Sequence, residues 1–64
     1  MGDRDIWANA LSLIDRHGDD AAGYALKRAD ELLESGDIAL AAIWGRIVAV
    51  IREIEASGSG GPIH

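Results

Sequence analysis

Apolar residues recur along this chain at intervals of three and four, in three stretches separated by two short polar breaks. Ile6, Trp7, Ala10, Leu11, Leu13 and Ile14 fall on one arc when each residue is turned by about 100° from the last. Asp5, Ala8, Asn9, Ser12, Asp15 and Arg16 fill the opposite side. That spacing predicts an amphipathic helix over 3–17. Charge agrees with the direction of its dipole, since Asp3 and Asp5 stand at the positive end and Arg16 and His17 at the negative end.

The second stretch predicts a helix over 20–35. Ala22, Ala25, Leu26, Ala29, Leu32 and Leu33 form its apolar stripe, and Lys27, Asp30, Glu31 and Glu34 its wet side. Small side chains let a neighbouring helix come close, so Ala22, Ala25 and Ala29 are expected at a tight crossing. The third stretch predicts a helix over 38–55 and is the most apolar. Leu40, Ile43, Trp44, Ile47, Val48, Val50, Ile51 and Ile54 cover a broad arc, which Ala39, Ala41, Ala42 and Ala49 widen. A helix apolar over so much of its circumference wants more than one neighbour. It is expected at the centre of the core, with any surplus forming a dimer face.

The two breaks are Gly18-Asp19-Asp20 and Gly36-Asp37. Glycine takes the left-handed backbone that ends a helix, and aspartate accepts the unpaired N–H groups of the next first turn. Each break therefore reads as a stop followed by a cap. The expected fold is all-α, a small three-helix domain over residues 3–56. From Ser57 to His64 the composition falls to glycine, serine, one proline, Ile63 and His64, which predicts a flexible tail over 57–64.

Size narrows this further. A 64-residue chain has room for one small core, and such a core rarely supplies more than about 3–5 kcal/mol. There is no cysteine, so neither a disulfide nor a thiolate metal site can supplement it. Tight packing or self-association is left. The formal net charge of −5 argues against duplex nucleic-acid binding, which needs a clustered basic face. The basic residues are dispersed instead, and most have an acid nearby. The longest apolar stretch, Ile38 to Ile51, is interrupted by Gly45 and Arg46 and falls short of a bilayer span. No membrane association is expected. The N-terminus carries no apolar leader, and the expected location is the cytoplasm.

Little in the chain suggests a reaction. Asp30 and Glu34 share a helix face and could attract a divalent cation. No known metal-binding spacing accompanies them, and Lys27 and Arg28 lie within a turn to neutralise the charge. His17 could act as a general base beside Asp19 or Asp20, yet no serine, cysteine or threonine nucleophile stands near it in a recognisable motif. Its place in the last turn of a helix points to capping of the final carbonyls. Tyr24 lies off the centre of its stripe and is expected at the boundary, its hydroxyl in water. No catalytic residue, metal ligand or cofactor is implied.

Longer strings carry a resemblance. Asp3-Arg4-Asp5-Ile6-Trp7, the run from Ile14 to Ala22, the run from Arg28 to Asp37 and Trp44-Gly45-Arg46-Ile47 resemble a family of short helical proteins of sphingomonad-type alphaproteobacteria. The likeness spans about Asp3 to Glu55. The family has no assigned activity, so what it implies is a bacterial cytoplasmic origin and no functional residues.

The sequence therefore leads to a non-enzymatic interaction module that docks on a protein partner or on itself as a homodimer. The residues expected to carry association are Trp44, Val48 and Ile51, with Trp7 beside them. If Val48 lies in an interface, Val48→Asp abolishes association and spares helicity; if it lies in the core, the fold is lost. An acidic regulator of nucleic-acid machinery, antitoxin-like or DNA-mimicking, is the alternative, and a metal-dependent enzyme the third.

Overall fold

Two glycines decide the layout. The computed structural model describes residues 2–60 and is all-α, with α1 at Asp3–His17, α2 at Ala21–Ser35 and α3 at Ile38–Gly60. Gly36 ends α2 in the left-handed region at φ 89°, ψ 5°. Its N–H donates to the Leu33 carbonyl at 3.1 Å and the Asp37 N–H to that of Leu32 at 2.9 Å, so the last carbonyls of α2 are satisfied. Asp37 then caps α3 as expected, with the Leu40 N–H donating to its Oδ1 at 3.2 Å.

Gly18 behaves differently. It has φ 58° and ψ −126°, outside the left-handed helical region, and opens a short 3-10 turn, Gly18–Asp20. The N–H of Ala21 donates to the Gly18 carbonyl, and α2 follows without a non-helical residue between. Backbone carbonyls of the turn thus take the place expected of an aspartate, and Asp20 makes no side-chain capping bond. The predicted count of three separate helices is corrected accordingly. Asp3–Ser35 is one helical run bent at Gly18, and α3 is the second.

The predicted end of α3 moves as well. Residues 57–60, expected in the tail, continue the helix to Gly60, while 61–64 lie outside the described residues. Adding a residue to an established helix gains one backbone hydrogen bond without a new nucleus, so composition alone did not stop it at Glu55. At about 1.5 Å per residue α3 outreaches both neighbours, which fits a molecule extending 43 × 22 × 17 Å.

Helix α3 is the spine, as its apolar breadth predicts, and both α1 and α2 pack on it. The core consists of Ile6, Ala10 and Leu13 from α1, Ala21, Ala25 and Ala29 from α2, and Ala41, Ile47, Val48 and Ile51 from α3. Five of those ten are alanine, and the largest side chains fully enclosed are Ile47 and Ile51. The alanines of α2 form the expected close crossing, with Ala21 in the place foreseen for Ala22, which is half-buried. No polar or charged side chain is buried among the described residues. The core is thin, and larger apolar groups remain outside it.

Candidate interaction surface

What the core leaves out is large. Trp7, Leu11, Tyr24, Leu26, Leu33, Ile38 and Leu40 are all exposed by more than a third. On α1 the stripe is wider than the contact it makes. Ile6, Ala10 and Leu13 turn inward, while Trp7 and Leu11, four residues apart and hence on one flank, stand 41% and 54% exposed. On α2, Leu26 and Leu33 lie seven apart at the edge of the buried stripe and are likewise exposed.

The flank of α1 borders a cleft along α3. One hollow of about 230 Å³ is lined by Asp3, Ile6, Trp7, Arg46, Ala49 and Val50. A second, of about 390 Å³, is lined by Trp7, Glu53, Ile54 and Ser57. Trp7 lines both, so the two hollows adjoin its side chain along the α1–α3 cleft. Both are open hollows rather than enclosed cavities. At one end Arg46 Nη2 donates to Asp3 Oδ1 at 2.8 Å, an exposed pair joining the start of α1 to the middle of α3.

A second feature crosses all three helices. The His17 ring stacks on Tyr24 with centroids 4.4 Å apart and planes 16° from parallel. Tyr24 meets Trp44 edge-on at 6.2 Å, and the Arg28 guanidinium lies 5.9 Å from the Trp44 ring centroid. Such contacts gain from ring quadrupoles as well as from buried area. They fasten the bend at Gly18 to α3 and occupy Trp44 within the molecule. Sequence spacing shows that Tyr24 and Arg28 share a face, but neither His17–Tyr24 across a bend nor either contact to Trp44 has a local signature. Tyr24 itself sits at the boundary, as expected.

The four residues expected to carry association therefore separate. Trp7 lies in the cleft, half outside. Trp44 is half-buried among the aromatic contacts. Val48 and Ile51 are 8% and 0% exposed, packed against α1 and α2 in the core, so in the single chain they are not surface. The reason is the thinness of the other two helices. Alanine-faced α2 needs large residues from α3 opposite it, and these two positions supply them.

The polar candidates do not converge. Asp30 and Glu34 are exposed, and no group of three His, Cys, Asp or Glu among the described residues could hold a metal. Arg28 Nη1 donates to Glu31 Oε1 at 2.8 Å, the local neutralisation the sequence suggests. His17 lays its ring on Tyr24. Among the described residues, no helix is long and apolar enough to cross a membrane. The chain matches no protein-family description, no curated protein and no solved structure.

Proposed function

We propose that this chain is a non-enzymatic protein-interaction module that docks through the cleft between α1 and α3. One observation carries the reading. Trp7 stands 41% exposed between two hollows while alanine fills half of the core. Water-exposed apolar area gives up about 25 cal/mol per Å² when covered, and tryptophan in such a setting is the residue type on which interfaces concentrate their energy. Leu11, on the same flank, extends the apolar surface along α1. A bacterial cytoplasmic setting rests on the sequence resemblance alone.

A photo-crosslinking residue at Leu11 tests the reading in the cells that make the protein. Adducts to a polypeptide, whether this chain or another, are the expected result, and they should weaken when Trp7→Ala is added. Irradiation that yields no adduct contradicts the reading.

A further inference from the structure

We propose that the occupant of the cleft is a second copy of this chain, lying antiparallel along α3 so that Arg46 of each copy pairs with Glu53 of the other. The inference rests on the interaction-module reading and names its partner. Ala42, Arg46, Ala49 and Glu53 follow one another at spacings of four, three and four, which puts them on one strip of α3 beside the cleft. All four are exposed. Arg46 lines one hollow and Glu53 the other, on either side of Trp7.

The two charges on this strip are opposite in sign and seven residues apart, about 10 Å along the axis. A twofold axis between Ala49 and Val50, perpendicular to α3, exchanges their positions. Each Arg46 then faces a Glu53 of the second copy, twice in the one isologous interface. Parallel pairing in register would instead set Arg46 against Arg46 and Glu53 against Glu53. Charge complementarity thus selects the antiparallel arrangement. Ala42 and Ala49 put no bulk between the helices. The same rotation keeps both α1 helices on one side of the pair and brings the two Trp7 side chains towards each other over the seam. Arg46 holds Asp3 within its own chain and has further N–H groups to give the second copy.

Charge reversal of the full chain tests this by light scattering, with circular dichroism as the check on folding. The unmodified chain is expected to weigh as a dimer at micromolar concentration and above. Glu53→Arg and Arg46→Glu each set like charges together twice, and each should raise the dimer dissociation constant by at least about tenfold. Mixed in equal amounts they restore both pairs, so the mixture should regain the dimer mass. Glu53→Arg leaves the Asp3–Arg46 bond in place and separates the interface from that local contact. A chain that stays monomeric throughout, a dimer indifferent to both reversals, or a mixture that stays apart overturns the inference. Crosslinks from Leu11 that hold only a different protein would also overturn it while sustaining the module reading; absence of any crosslink would remove both.

Discussion

The two seams along α3 are built on opposite plans. Against α2, the spine meets Ala21, Ala25 and Ala29, which let the helices approach until Ile47, Val48 and Ile51 are enclosed. Against α1 it meets Ile6 and Leu13, but Trp7 and Leu11 sit beside the contact, and a groove remains. Small residues close a seam because backbones can come near, and the core then needs bulk from one side alone. Large residues on the flank of a short helix have no opposite wall. Both seams contribute to the core, and the second leaves Trp7 and Leu11 exposed beside it.

Breaking the closed seam should have the largest effect. Val48→Asp puts a carboxylate into an apolar site without a partner, where a charge costs more than a core this small supplies. Helical circular dichroism should be lost altogether. A variant that keeps its helicity and loses only association would return Val48 to the surface.

A matched pair of substitutions sharpens the contrast. Ala25→Leu overfills the closed seam and should cost about 1–3 kcal/mol in denaturant unfolding. Ala49→Leu, on the open side where the native alanine is exposed, should leave the dilute chain's unfolding midpoint almost unchanged and weaken association at higher concentration. Equal destabilisation by the two would erase the difference between the seams.

Gly18→Ala acts on the bend that delivers α1 to its side of the spine. Nothing lies within 4 Å of the added methyl, so the cost is backbone strain alone. At φ 58°, ψ −126° it should amount to about 1–3 kcal/mol. Gly36→Ala, in the left-handed helical region at φ 89°, should cost about 1 kcal/mol. Thermal melts of the two variants side by side give the order.

Much of this was legible in the residues. Period and punctuation placed the helices, named the alanine crossing and put α3 at the centre, because those features depend on local spacing. At the bend the stop falls at Gly18 as expected, but the aspartate cap does not form, although Gly18-Asp19-Asp20 and Gly36-Asp37 look alike in sequence. They diverge in ψ, −126° at Gly18 against 5° at Gly36, and so in where the glycine carbonyl points. Apolar arcs likewise show which side of a helix avoids water, but not how much of that side its neighbour can cover. Spacing therefore points Val48 and Ile51 to an interface, although in the single chain they are enclosed in the core with residues of α1 and α2. The Asp3–Arg46 pair and the Trp44 contacts join residues far apart in the chain, and no spacing rule reaches them.

The proposed docking requires the α1 seam to be open in the single chain and covered in company. Fluorescence separates the two seams, because each has its own tryptophan. Trp44→Phe leaves Trp7 to report on the open seam, and Trp7→Phe leaves Trp44 to report on the aromatic contacts of α2 with α3. Acrylamide quenching would be followed for both over a hundredfold range of concentration. Trp7 should be readily quenched when dilute and become protected, with a blue-shifted emission, as concentration rises, while Trp44 stays constant. Equal quenching of Trp7 at every concentration would contradict self-association through this seam.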